Sequence, residues 1–395
     1  MQRNAGIDSW NWIGVALFVL LAQAGCGTGE GTIGGTPPLP DPFFEDQESH
    51  EEPLTAFAAQ NAPRQSSSGP GGAAYAHQGF ARTTVSAWVM KGSTPLDVGF
   101  HLFEPTQPAA PLGPARVILY LHGGCFSDDR GHLAHIQHLV RRGHFVVFPT
   151  GLWLPYAYNP QVALQALRGA LTQLAARGYV RPTVSYVGFS SGGMVALQAG
   201  NDGPARAALD LPAPSAIIAL DAAGGNTQLY SWMRPLNLSG IPANTRLMFI
   251  LSESSYQGAQ KDGRKCNYDW SQRSPSEGCG AWSIVSPAWK SAGQVPRSNK
   301  SAVVVLSDAF PRSARPAIQL QSTHEGCLAG SSSTPLDAID WYGYWKTTDL
   351  ALSAAQDLDR GSVDLETLPD PLTYMGRYAS GEEVRRMLII SEQLR

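Results

Sequence analysis

The residues whose types and spacing can do chemistry gather in Val184-Ser185-Tyr186-Val187-Gly188-Phe189-Ser190-Ser191-Gly192-Gly193-Met194-Val195-Ala196. A β-branched and aromatic run leads into Gly-Phe-Ser-Ser-Gly, and small, helix-forming residues follow, so the expected local structure is strand, very tight turn, helix. The turn needs glycine two residues before and two after Ser190, because the backbone at the serine is strained and a larger side chain would strike the neighbouring strand or helix. Ser190 then stands at a helix N-terminus with its Oγ clear of the sheet. A serine hydroxyl is a poor nucleophile at neutral pH and needs a base to take its proton, normally a histidine oriented by a buried carboxylate.

In the chain order that belongs to such a turn, the acid and then the histidine follow the serine. His324 is the only histidine after Ser190, in Gln319-Leu320-Gln321-Ser322-Thr323-His324-Glu325-Gly326-Cys327, a strand running into a loop. Two residues are candidates for the acid. Asp221 ends the apolar run Ile217-Ile218-Ala219-Leu220, and Glu253 follows Ile250-Leu251-Ser252. Spacing does not choose between them. The tetrahedral intermediate of acyl transfer also needs two backbone N–H donors aimed at its oxyanion. Ser191, next to the nucleophile, supplies one, and Gly124 in His122-Gly123-Gly124-Cys125 supplies the other; His122 itself reads as structural.

The elements that must hold these residues follow from periodicity. Strand-like segments at 83–90 and 97–104 are separated by a turn at Gly92-Ser93-Thr94-Pro95. Arg116-Val117-Ile118-Leu119-Tyr120-Leu121 is a near-continuous apolar run, as expected of a strand buried on both faces of a parallel sheet. A helix is expected over 132–142, a strand over 145–149, and then an amphipathic helix with Leu164, Leu167, Leu171 and Leu174 on one face, stopped by Gly178. After the Ser190 strand and helix come strands at 216–220 and 246–251, and a helix over 337–355 that buries the aromatic run Trp341-Tyr342-Gly343-Tyr344-Trp345. Strands alternating with helices indicate an α/β architecture, a mostly parallel central sheet with helices on both faces and its site at the carboxyl ends of the strands.

The 395 residues are 43% hydrophobic and 15% charged, with a net charge of -3, which argues against a nucleic-acid partner. Residues 1–26 read as an export signal: Arg3 precedes an apolar run at 12–22 that is short of the roughly 20 residues a spanning helix requires. Cleavage after Ala22-Gln23-Ala24 would release a soluble protein, whereas Ala24-Gly25-Cys26 is similar to a lipoprotein signal in which Cys26 carries a membrane tether. The lipoprotein reading leaves an even set of cysteines. These are Cys125, Cys266, Cys279 and Cys327, expected to pair in an exported protein as Cys266–Cys279 and Cys125–Cys327, the second tying the oxyanion loop to the histidine loop. Residues 27–72 are rich in Gly, Pro, Ser and acidic residues and read as a disordered linker, and 73–395 as one catalytic domain. His132, His135 and His138 recur every three residues but rotate around a helix, so no metal site is expected from them. The chain carries no Walker A loop, no GxGxxG after a strand, no HExxH and no S-x-x-K.

With these residues in hand the chain resembles an α/β-hydrolase-fold serine hydrolase over roughly residues 69–355. Within that superfamily it is most similar to the secreted esterase branch that includes chlorophyllases, platelet-activating-factor acetylhydrolases and cutinase-like polyester hydrolases. Leu121-His122-Gly123-Gly124 matches the oxyanion loop of that branch, and Gly188-Phe189-Ser190-Ser191-Gly192-Gly193 its G-x-S-x-G-G elbow. Ile218-Ala219-Leu220-Asp221-Ala222 is similar to the segment carrying the catalytic aspartate in the acetylhydrolases and chlorophyllases. The segment from Phe249 through Gln257 is similar to an acetylhydrolase segment whose glutamate is not catalytic. The resemblance therefore implies Asp221 as the acid, while the cutinase-like members, which take their acid after the later strand, keep Glu253 in play. It implies cleavage of a small-molecule or lipid-like ester through an acyl-enzyme on Ser190, without a cofactor. A peptidase or amidase on the same triad, and a non-catalytic surface protein on the same fold, are the alternatives.

Overall fold

The computed structural model describes residues 60–123, 129–152, 159–222, 237–256, 282–312, 316, 318–322, 336–356 and 363–394. Strands are numbered along the chain. Among the described residues one sheet of nine strands has the spatial order β1 (Gly79–Val85), β4 (Phe100–Thr106), β6 (Phe145–Pro149), β5 (Gly113–Leu121), β7 (Tyr179–Phe189), β8 (Ala216–Leu220), β9 (Arg246–Ser252), β10 (Lys300–Val305) and β13 (Leu388–Ile389). The six strands from β6 to β10 in this order run parallel. At the margins β4 is antiparallel to β6 and to β1, and β13 is antiparallel to β10.

Parallel neighbours require crossovers, and helices supply them. α1 (Leu133–Arg141) joins β5 to β6, α2 (Asn159–Ala176) joins β6 to β7, and α3 (Ser191–Asn201) with α4 (Gly203–Ala208) leads from β7 to β8. α5 (Trp282–Ser291) precedes β10, and a π-helical stretch (Ile339–Trp345) runs straight into α6 (Lys346–Gln356). Side chains alternate across each strand, so a strand buried on both faces sends every residue into one core or the other. Val117, Leu119 and Leu121 of β5 join the core beneath α2, α3 and α5, whereas Ile118 and Tyr120 join the one beneath α1 and α6. The unbroken apolar run of β5 is the direct result. Leu164, Leu167, Leu171 and Leu174 all lie inside the first of these cores, each contributing about 2 kcal/mol relative to exposure. Gly178 at φ +90° then lets the chain turn out of α2 into β7.

This strand order, with the second strand reversed and the serine turn after a central strand, is the α/β-hydrolase fold. It also fixes where a site belongs. From β5 the chain crosses to β6 on one side, and the later strands β7 to β10 build outward on the other. The two crossovers diverge at the carboxyl ends of β5 and β7, and this opens a crevice there.

Three details differ from the sequence reading. The run 83–90 divides into β1 and β2 (Trp88–Lys91), which pairs with β3 (Thr94–Asp97) as a separate hairpin; Gly92 takes φ +61° in its two-residue turn. The helix expected over 337–355 opens as a π-helix, and Tyr342, Gly343, Tyr344 and Trp345 are buried as expected. Within the stretch that composition reads as linker, residues 61–71 make specific contacts. Asn61 accepts from the N–H of Ala379, Arg64 from the Tyr342 hydroxyl at 2.7 Å, and the N–H of Gly71 donates to Asp349 at 2.8 Å.

Candidate active site

Ser190 sits between the last residue of β7 and the first of α3 with φ +52° and ψ −124°, a conformation L-residues rarely adopt. The surroundings explain why it persists. A Cβ on Gly188 would lie 2.2 Å from the carbonyl oxygen of Gly192, and one on Gly192 would lie 2.1 Å from that of Leu121. Backbone presses on backbone on both sides of the serine, so neither position admits a side chain. The N–H of Ser190 donates to Leu220 O at 3.0 Å, pinning the turn to β8, and its carbonyl accepts from Gly193 at 3.0 Å, closing the first turn of α3. Ser190 is half-buried, and Ser191 is buried as the first helical residue. The leading N–H groups of a helix have no intrahelical acceptor, so the backbone here presents donors and the positive end of the helix dipole beside the serine.

The end of β5 closes the second wall. A Cβ on Gly123 would come within 3.0 Å of Ser190 Cβ, so the His122-Gly123 backbone lies directly against the elbow. His122 is buried, its Nδ1 2.8 Å from Gly123 O and its ring stacked on Phe148 at 5.4 Å. Gly124 lies outside the described residues.

On the opposite side Asp221 directly follows β8, and its neighbour Ala222 packs against the elbow helix at Gly193. Asp221 has no solvent exposure, and its backbone too is left-handed, with φ +42°. Its N–H reaches back to Ile250 O at 2.6 Å. Three donors converge on the carboxylate: the N–H of Ser252 on Oδ1 at 3.0 Å, and the hydroxyls of Ser252 and Ser255 on Oδ2, each at 2.8 Å. Glu253, in the same turn, faces away from this cluster. Its carboxylate accepts from the N–H of Ser307 at 2.9 Å and pairs with Arg385 at 3.2 Å, which ties the end of β9 to the end of β10 and to the C-terminal segment.

His324 lies outside the described residues, as do Cys26, Cys125, Cys266, Cys279 and Cys327. The described chain leading to that histidine is held firmly. Ser322, two residues before it in sequence, is buried; its hydroxyl accepts from the N–H of Glu253 at 3.2 Å, its carbonyl from the N–H of Ser254 at 3.3 Å, and its N–H donates to Ser307 Oγ at 3.0 Å. The turn that carries Ser252 and Ser255 therefore meets Asp221 on one side and the entry to the histidine segment on the other. Sequence reasoning missed these serines, since isolated small polar residues carry no periodic signal; the only hint was their crowding after an apolar strand, in Ser252-Glu253-Ser254-Ser255.

The three histidines around α1 point into the core beneath α6. The His132 ring lies 5.8 Å from that of Phe189, and burial pushes its pKa well below 6.5, with His122 and His135 adding to the effect. Burial lowers His135 to about 3, with its neighbour His138 contributing; its ring stacks on Trp345 at 6.0 Å. His138 bridges Tyr75 and Asp349 at 3.1 and 3.0 Å. Among the described residues no group of three or more His, Cys, Asp or Glu is arranged to hold a metal ion.

No family model matches the chain, and no curated protein matches it in sequence. Among solved structures it is similar to Esterase B from Lactobacillus rhamnosis (HN001), at 14% identity over 72% of this chain and 90% of that one, with a TM-score of 0.45. The form of Esterase B inhibited by a C4-C4 tributyrin phosphonate gives a TM-score of 0.44 at the same identity and coverage. Esterase Est22 aligns at 13% identity over 45% of this chain and 64% of its own, with a TM-score of 0.35. The fold assignment rests on this chain's own strand order and elbow.

Proposed function

We propose that the chain is an exported serine hydrolase that cleaves carboxylic esters, small or lipid-like, through an acyl-enzyme on Ser190. The observation that carries this reading is the backbone of Ser190 itself, held at φ +52° by glycine contacts that leave no room for a side chain. Strain of that kind costs on the order of 1–3 kcal/mol and persists where the surrounding structure over-determines it, typically at a functional residue. Ser190 Oγ attacks the acyl carbon while His324 takes its proton, and the N–H groups of Ser191 and Gly124 stabilise the oxyanion. As the ester C–O bond breaks, His324 gives the proton to the departing alkoxide. Water then attacks the acyl-enzyme, with His324 again as base, and regenerates Ser190.

Asp221 is the orienting acid in this scheme. It is buried, it directly follows the strand next to the elbow, and Ser252 and Ser255 donate to its carboxylate. Glu253 already spends its charge on Arg385. No cofactor takes part. Export through residues 1–26 and a lipid tether at Cys26 belong to the same proposal, and the mass and N-terminus of the mature protein test them.

The test of the activity is hydrolysis of p-nitrophenyl esters from acetyl to long acyl chains by the purified protein beside Ser190→Ala. Turnover that disappears in the variant supports the reading, and the chain-length preference sizes the acyl pocket. Equal turnover by the two proteins would refute it.

A further inference from the structure

We propose that the chain binds a small oxyanion, a carboxylate or a phosphate, in a cavity at the amino ends of β5 and β6, against the guanidinium groups of Arg116 and Arg142. Ser190 stands at the carboxyl end of β7, on the opposite edge of the sheet, so this is a second site and does not depend on the reading of the first.

The cavity has a volume of about 130 Å³, and its polar wall is made by Arg116, Arg142, His144, Asp349, Ser353 and Gln356. A water molecule in the liquid takes roughly 30 Å³ and a drug-sized ligand about 300 Å³ or more, so this room suits an ion of a few heavy atoms. Three elements bring the wall together. Arg116 lies near the start of β5, Arg142 and His144 belong to the turn from α1 into β6, and Asp349, Ser353 and Gln356 follow one another at i, i+4 and i+7 along one face of α6.

These polar groups are not used up by one another. Arg116 carries five N–H donors, and among the described residues it makes one long bond, from Nη1 to Gln356 Oε1 at 3.4 Å. Asp349 is the opposing charge, but its Oδ2 is already engaged by the N–H of Gly71 at 2.8 Å, by His138 Nε2 at 3.0 Å and by Arg142 Nε at 3.6 Å. Two guanidinium groups against one carboxylate leave the cavity positive. His144 is only 6% exposed, and its ring nitrogens find no hydrogen-bonding partner among the described residues, although neither is sealed from the cavity that the ring lines. Burial, and then the charge of Arg116, lower its pKa to about 3, so the ring is neutral at pH 7 and offers one donor and one acceptor. A buried polar side chain without a protein partner is satisfied by something held in front of it. The fork of a guanidinium matches two oxygens of a carboxylate or phosphate, which a spherical halide cannot reproduce, and His144 and the Ser353 hydroxyl add neutral donors beside it.

The test is calorimetric titration of the full chain with sodium acetate, sodium phosphate and sodium chloride at pH 7 and constant ionic strength. One saturable site per chain is expected for acetate or phosphate, with a Kd of about millimolar, and chloride should bind about tenfold more weakly or not at all. Binding of acetate alone marks a carboxylate site, and binding of phosphate alone a phosphate site. Arg116→Gln, at an exposed position, removes the fork and should weaken binding by about tenfold to a hundredfold. Gln356→Glu, also exposed, sets a carboxylate against Arg116 and should abolish binding without emptying or filling the cavity. The melting temperature gives a second readout, since a ligand of the folded state raises it with concentration in the wild-type protein and not in either variant. No saturable binding by either oxyanion, chloride binding equal to theirs, or unchanged affinity in a folded Arg116→Gln or Gln356→Glu variant overturns the inference.

Discussion

Asp221 and Glu253 are acidic residues at the carboxyl ends of neighbouring strands, and the chain has given them opposite surroundings. Asp221 is enclosed, strained at φ +42°, and held by one N–H and two hydroxyls. Glu253 sits in the adjacent turn with a guanidinium partner, and its bonds run outward to Ser307 and Arg385. A carboxylate solvated by a cation has its charge engaged and serves as a brace, as Glu253 does. Two acidic residues one strand apart thus differ in their surroundings, with hydroxyl donors at Asp221 and a guanidinium at Glu253.

Substitution of the two carboxylates breaks this comparison most forcefully. Asp221→Asn should lower kcat by about 10⁴-fold, the scale on which triads lose activity when the histidine loses its anionic partner. Glu253→Gln should leave kcat within about tenfold, on the same scale of triad loss. Steady-state ester hydrolysis by both variants decides the matter, and a reversal of the two results would exchange the assignments. The elbow can be broken without touching either carboxylate. Gly192→Ala would place a Cβ 2.1 Å from the Leu121 carbonyl, where only main chain can yield, so a loss of about 3 kcal/mol or more in denaturant unfolding is expected.

Acid sharpens the comparison from another side, because buried histidines of the core also titrate. Burial pushes both His135 and His144 down to about 3, with His138 adding at the first and Arg116 at the second. Their folded pKa values lie below the unfolded value of 6.5, so the stability their neutral forms contribute is fully present above about pH 6.5 and declines as the pH falls from there toward 3. Thermal unfolding followed between pH 7 and 4 should show this decline, and the acidic limb of activity belongs to the site only where the melting temperature still holds. The smallest effect concerns the brace. Arg385 is half-exposed and glutamine still accepts from Ser307, so Glu253→Gln should cost about 1 kcal/mol, a few degrees of melting temperature at most.

Much of this architecture was legible in the chain because burial on a regular element leaves a period. The run from Arg116 to Leu121 announced a strand buried on both faces, the leucines from 164 to 174 a helix, and Gly188 and Gly192 the turn that Ser190 requires. What escaped carries no period. The bend at Ser86-Ala87 that separates β1 from the β2–β3 hairpin interrupts an apparently continuous strand pattern, and the π-helical opening of the last long helix leaves the same apolar face as an α-helix. The contacts of residues 61–71 use backbone groups, which composition does not reveal. In the site, the serine and both candidate acids could be named from sequence, and resemblance, not spacing, inclined the choice to Asp221. Ser252 and Ser255 reach Asp221 across 31 and 34 residues of chain, and nothing local marks them.

The central claim, that Ser190 is a nucleophile activated by its surroundings, is tested most directly by reacting the purified protein with a fluorophosphonate and mapping the adduct by peptide mass spectrometry. The account predicts one adduct per chain, on Ser190, absent in Ser190→Ala and strongly slowed in Asp221→Asn. An unreactive folded protein, or an adduct on another residue that persists in Ser190→Ala, would contradict it.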